Sequence, residues 1–211
     1  MARSGKIIVI AGPTGSGESA VTKAVLKKLK NTKRIITVTT RSPRPHEKNG
    51  IDYFFVSTKE FKKMIKADVL LEYIRVPNRN IYYGTVKKQI EGNLAAGINL
   101  VGNFEIQGLR YFKKTFPGQV LGIFIKPENI SIIKKRFIMR DPTISRLEVQ
   151  KRIANAKREL AEAKYYDHIV YNIDGNIKKA ITEVSGLIKD FTKNTGIDKI
   201  KKNGYYKGLI N

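Results

Sequence analysis

The residues from Lys6 to Ser19, KIIVIAGPTGSGES, carry the most informative spacing in the chain. Gly12 and Gly17 stand where the pattern G-x-x-x-x-G-K-[ST] requires glycine, and Ser19 closes it. Glycines in such a turn let successive backbone N–H groups curl around an anion, and the helix that follows adds the positive end of its dipole. The chemistry is capture of nucleotide phosphates by Gly12, Pro13, Thr14, Gly15, Ser16, Gly17, residue 18 and Ser19, with the Ser19 hydroxyl placed to ligate Mg²⁺. Position 18 breaks the pattern: the lysine that would bridge the β- and γ-phosphates is replaced by Glu18. At ~4 Å and an effective dielectric of ~20, each charge–charge term is about 4 kcal/mol. Exchanging an attraction for a repulsion then costs several factors of ten in binding or rate.

The flanking residues supply the elements this loop needs. Lys6 to Ala11 is a short β-branched run, the signature of a strand buried on both faces. Ser19 to Leu29 reads as an amphipathic helix with Val21, Val25, Leu26 and Leu29 on one face. Further along, a strand is expected near Arg34 to Thr39, followed by a proline-broken basic loop from Arg41 to Gly50. A short strand covers Asp52 to Val56, and Thr58 is expected to cap a helix with Phe61, Met64 and Ile65 apolar. Strands are expected over Val69 to Val76 and Ile81 to Gly84, with a turn at Asn78 to Asn80. Helices are read at Thr85 to Ala96, Ile106 to Thr115, Pro127 to about Met139, Ser145 to Tyr165 and Asn176 to Thr192. Apolar strands fall at Ile98 to Phe104, Gln119 to Ile125 and Asp167 to Asn172. This alternation argues for a parallel sheet covered on both faces, with the short strands of about 36 to 85 forming a small mixed-sheet insertion.

Composition narrows the class. The chain has 211 residues, 41% of them hydrophobic, enough for one α/β unit with a core. Cysteine is absent, so disulfides and thiolate metal sites are excluded, and two histidines argue against a histidine metal centre. No run reaches the roughly 18 to 20 apolar residues of a membrane span, and Met1 leads into the first strand without a signal peptide, so a soluble cytoplasmic protein is expected. The net charge of +23 is large. The lysines are spread through every helix, so a solvated surface is favoured over nucleic-acid binding, and the lysine-rich tail from residue 192 to 211 reads as a solvated terminus.

Several further motifs stand in order: Thr39 to Arg44 (TTRSPR), Asn49 to Ser57 (NGIDYFFVS), Tyr82 to Thr85 (YYGT), Glu105 to Gly108 (EIQG), the series Arg136, Arg140 and Arg152, and Tyr166 to Asn172 (YDHIVYN). Together they resemble guanylate kinases over about residues 5 to 191. The resemblance implies an α/β P-loop NTPase three-layer sandwich with a parallel five-stranded core sheet over 5–35, 86–135 and 156–191. It also implies a GMP-binding insertion over 36–85 and a lid over 136–155. It implies that Arg41, Arg44, Tyr53 and Tyr83 grip the GMP phosphate, for which guanidinium forks and phenolic hydroxyls are suited. Guanine readout is implied for Glu72, with Thr37, Thr85 and Glu105 nearby. A carboxylate can accept from guanine N1–H and N2–H₂ together, a pair adenine lacks. Arg136, Arg140 and Arg152, with Arg41, are implied as the catalytic cations that cover charge developing on the transferred phosphoryl group.

The departures from the family pattern gather on one side. Glu18 replaces the lysine, Asn103 stands at a usually acidic position, Glu105 replaces aspartate and Gly102 is unusual in its strand. The expected activity is transfer of the ATP γ-phosphate to GMP, Mg²⁺-dependent and impaired by Glu18, in a monomer or homodimer with GMP and ATP as small-molecule substrates. Two other readings stay open. One is a catalytically weak or dead module that holds GMP or a phosphorylated partner, and the other is a polyanion binder suggested by charge alone.

Overall fold

The computed structural model describes residues 4–76 and 80–193, so the turn expected at Asn78 and most of the basic tail lie outside the described residues. The core is a five-stranded sheet in the order β2-β7-β1-β8-β9, formed by β1 (Ile7–Ala11), β2 (Thr32–Arg34), β7 (Asn99–Asn103), β8 (Val120–Pro127) and β9 (His168–Asn172). Every pairing in it is parallel. β1 lies at the centre and is buried along its whole length. Its side chains alternate between two apolar layers, as the period of two requires. Ile7 and Val9 face α3 (Lys87–Ala95) and α4 (Ile106–Thr115) through Ile90, Leu94, Leu109 and Phe112. Ile8 and Ile10 face α1 (Glu18–Lys28) and α7 (Ile177–Lys193) through Val21, Val25, Ala180, Val184 and Ile188. Each fully buried aliphatic side chain contributes about 1.5–3 kcal/mol, so this double layer is what holds β1, and the loop after it, in place. The expected covered parallel sheet is therefore the observed one.

A second, mixed sheet runs in the order β4-β3-β6-β5, with β3 (Val38–Thr39), β4 (Phe54–Phe55), β5 (Leu70–Arg75) and β6 (Tyr82–Val86). β3 and β4 are parallel and the other pairs antiparallel. α2 (Thr58–Lys66) covers it with Phe61, packed with Val38 and Leu70. Between β5 and β6 the register shifts: Leu70 pairs with Val86 but Glu72 with Thr85, leaving Leu71 as the extra residue of a bulge.

Several boundaries differ from expectation for identifiable reasons. The strand expected near Arg34 to Thr39 is two strands in two sheets. After β2 the Ile35 amide still reaches the Val101 carbonyl, but Ile36 is taken up by the side chain of Gln89, which accepts from the Ile36 amide (2.8 Å) and donates to its carbonyl (3.1 Å). That side-chain pairing carries the chain from one sheet to the other. Thr85 and Val86 complete β6 rather than opening a helix. The cap of α2 is Ser57, not Thr58, in a reciprocal box with Glu60. Pro127 ends β8, and α5 (Ile130–Arg140) starts instead from Asn129, whose side chain accepts from the Ile132 amide. The helix expected to Tyr165 is α6 (Arg146–Ala161), tightening into a 3₁₀ turn over Glu162–Tyr165. Among the described residues no helix is long and apolar enough to cross a membrane.

Candidate functional site

The glycine loop sits at the carboxyl end of β1, where open parallel sheets present their ligands. Its path is fixed by close approaches. A Cβ on Gly12 would lie 2.4 Å from the Ile125 carbonyl oxygen, and Gly17, at φ 92°, would place one 2.4 Å from Asn172 Nδ2. The Ser16 amide donates to the Pro13 carbonyl (2.8 Å), closing the turn. Two neighbours hold loop carbonyls: Asn172 Nδ2 donates to Ser16 O (2.6 Å) and Arg136 Nη1 to Gly15 O (2.8 Å). Ser19 is exposed in the first turn of α1.

Glu18 opens α1 and is half-buried. Burial first, then the charges of Glu159 and Glu105, push its carboxyl up to about 8. Glu159 on α6 approaches the loop itself, accepting from the Thr14 amide (3.3 Å), and burial raises its carboxyl as well, as it does that of Glu162. Four carboxyl groups from three parts of the chain, Glu18, Glu105 and the pair Glu159 and Glu162, thus share one electrostatic neighbourhood beside the phosphate loop. Glu105 belongs with these groups in the structure; among the described residues no hydrogen bond ties it to Glu72. At neutral pH Glu18 is mostly protonated, so its penalty toward an anion is smaller than a full carboxylate's.

Of the arginines of α5 and α6, Arg136 reaches the same loop directly. Besides Gly15, Arg136 pairs with Asp174 (3.2 Å). Arg140 and Arg152 both lie over the ring of Phe137, at 5.9 and 5.4 Å from its centre, and a Cβ on Gly15 would touch that ring at 3.4 Å. Arg152 is also held by Glu148 (2.8 Å). Phe137 is therefore the buried platform that sets two of the cations near the loop.

On the second sheet, Arg41, Tyr53 and Tyr83 stand together. Arg41 Nε donates to the Tyr83 hydroxyl (3.2 Å), its guanidinium lies 5.3 Å from the Tyr53 ring, and the two tyrosines meet edge to face at 6.0 Å. Glu47 joins them, accepting from Arg41 Nη2 (2.9 Å) and from the Arg44 amide (2.7 Å). Burial works to raise the Glu47 carboxyl, but the Arg44 amide and Arg41 outweigh it and hold it below its ordinary value. Arg44 takes part through its backbone; its guanidinium makes no bond to the other three. Farther along, the buried Thr85 hydroxyl donates to Glu72 Oε1 (2.6 Å), and burial raises the Glu72 carboxyl against that bond. Thr37 accepts from the Phe54 amide through its carbonyl, while its side chain makes no hydrogen bond with the described residues.

The sequence reading did not single out Glu47, Phe137, Glu159 or Asp174, and gave Asn172 no role beyond closing the motif from Tyr166. Asn172 had a signal, since it ends a strand at the ligand-bearing edge; the others had none. No group of three or more histidine, aspartate or glutamate side chains among the described residues is arranged to hold a metal. Asn103, at the position where an acidic residue was looked for, donates to the Ile10 carbonyl and the Thr22 hydroxyl, so it braces β1 against α1.

A family model described as guanylate kinase matches residues 4–191. A guanylate kinase of Wolbachia sp. subsp. Brugia malayi is 34% identical over 194 residues, 92% of this chain and 97% of that one. A guanylate kinase of Caldanaerobacter subterraneus subsp. tengcongensis is 38% identical over 186 residues, 88% of this chain and 87% of that one. Among solved structures, guanylate kinase from Anaplasma phagocytophilum superposes with a TM-score of 0.73 at 24% identity, covering 92% of this chain and 90% of that chain, a likeness of fold.

Proposed function

The chain belongs to the guanylate kinase family, and on that premise we propose that it transfers the γ-phosphate of ATP to GMP, giving ADP and GDP, with a donor half weakened by Glu18. The observation that carries this reading is the preassembled cluster of Arg41, Tyr53 and Tyr83. A guanidinium fork beside two phenolic hydroxyls suits a phosphate dianion, and that dianion offers Arg41 more charge than the Glu47 carboxylate that now pairs with it. Arg44 adds a second fork from the same loop. Glu72, braced by Thr85, reads guanine, with Thr37 just before β3. The 36–85 segment serves as the GMP lobe and 136–155 as the lid.

On the donor side the loop from Gly12 to Ser19 holds the ATP phosphates, while Arg136, Arg140 and Arg152 neutralise charge on the moving phosphoryl group. Mg²⁺ usually takes one or two carboxylates beside substrate phosphates and several waters, and in phosphate loops the Ser or Thr hydroxyl is a further ligand; of these protein groups this site offers the hydroxyl. The exposed Ser19 hydroxyl is the residue that would hold it, and the ion would supply charge neutralisation between phosphates. ATP and GMP as small-molecule substrates, and the cytoplasm as the setting, belong to the same proposal.

A second reading, a module that binds GMP without phosphoryl transfer, is favoured by the carboxyl groups of Glu18, Glu105 and Glu159 beside the loop. A coupled assay with GMP and ATP separates the two. Slow turnover by the natural chain, increased by Glu18→Lys, is the expected result. GMP binding without turnover in either protein would overturn the kinase reading and leave the module.

A further inference from the structure

We propose that Tyr111 is a positioning residue for guanine recognition: its hydroxyl pins the bulge at Leu71 and so aims the Glu72 carboxylate. The inference rests on the reading of Glu72 given above. At a bulge the extra residue drops out of the ladder, and the side chain beside it is re-aimed. Here the extra residue is Leu71, and its freed carbonyl accepts from the Tyr111 hydroxyl on α4. The Leu71 side chain meanwhile packs into the core layer that contains Ile106, Leu109 and Phe112 of the same helix. The bulge is thus held by the core sheet's own covering helix, although β5 belongs to the other sheet. The Tyr111 ring is itself set edge-on against the buried Phe112, at 6.1 Å and 80°.

Glu72 is the next residue. One of its carboxylate oxygens accepts from Thr85, and among the described residues that hydroxyl is the side chain's only hydrogen-bond partner. One bond to one oxygen fixes a point and leaves the carboxylate plane to the backbone that carries it. A carboxylate that accepts from guanine N1–H and N2–H₂ together must be held to within about half an ångström. The Tyr111 strap supplies the second constraint, and it does so across the boundary between the two sheets.

The test is calorimetry on the full chain with GMP alone and with ATP alone. Tyr111→Phe keeps the ring and its packing and removes only the donor. Its Kd for GMP is expected to rise roughly threefold to tenfold, the effect of one lost hydrogen bond, with ATP binding unchanged. In a Glu72→Gln background the same substitution is expected to lose most of its effect, which a merely structural role for Tyr111 would not produce. Equal effects in both backgrounds, or an unchanged Kd for GMP in Tyr111→Phe, would overturn the proposal while leaving Glu72 as the guanine reader. An unchanged Kd in Glu72→Gln alone would remove that reader, and the proposal with it.

Discussion

Replacing Glu18 by Gln should change how the stability of this protein responds to pH. The carboxyl stands at about 8 in the folded chain against an ordinary value of 4.5. A folded-state value above the unfolded one means that the native state binds the proton more tightly. Stability from this group is therefore complete below about pH 4.5 and is lost as pH rises through 8, where the carboxyl is forced to ionise among Glu159 and Glu105. Linkage between these two values gives a loss of roughly 4 kcal/mol between pH 5 and pH 9, more than half of it before pH 7. Glutamine keeps the shape and has no proton to lose. Glu159 and Glu162 are raised in the same direction and remain in the variant, so both proteins should weaken with pH, and the difference between them isolates Glu18. Denaturant unfolding of both proteins at pH 5, 7 and 9 measures it. The two stability curves should diverge steadily toward high pH, with the Gln variant the more stable. Parallel curves would refute the placement of Glu18 in a shielded, acidic environment.

Two other substitutions test the two nucleotide sides separately. Glu72→Gln should weaken GMP by roughly 1.5–3 kcal/mol, the worth of hydrogen bonds to a charged group, measured by calorimetry; an unchanged affinity would mean the base sits elsewhere. Phe137→Ala should cost about 3–5 kcal/mol of stability, since its ring is 1% exposed, and should raise KM for ATP more than KM for GMP because Arg140 and Arg152 lose their platform. A stability loss below about 1 kcal/mol would contradict the packing described for that ring.

The parts of the fold legible in the chain were those where local pattern and tertiary context agree. The β-branched run before Gly12 is β1, and the apolar periodicity of Ile106 to Thr115 is α4 residue for residue. Where long-range partners decide, local pattern failed. Nothing in Arg34 to Thr39 announces that the Gln89 side chain, far along the chain, will divert it between sheets. Thr58 was a plausible cap by type, but Ser57 alone stands three residues before Glu60, whose carboxylate can return the bond. Motif spacing picked out the glycine loop at the end of β1 and the residues Arg41, Tyr53 and Tyr83, which the structure brings together. Motif spacing could not reveal Glu47 or Glu159, because a lone glutamate in a charged loop or helix looks like any solvated residue until the fold brings Arg41 or Thr14 to it. The protonation of Glu18 was equally hidden: the substitution is plain in the sequence, but its shielding and its acidic neighbours exist only in three dimensions.

The Gln89 clasp on Ile36 bears on how the smaller sheet can move. Ile36 lies on the connection that leaves the core sheet after β2, and Gln89 lies in the first turn of α3, just past β6, so the clasp ties the outgoing and returning connections together. A body tethered at a single point swivels freely, whereas one hung from two adjacent tethers rocks like a door on paired pins. The smaller sheet is thereby joined to the core at two adjacent ties instead of one, which restricts swivelling about either connection alone.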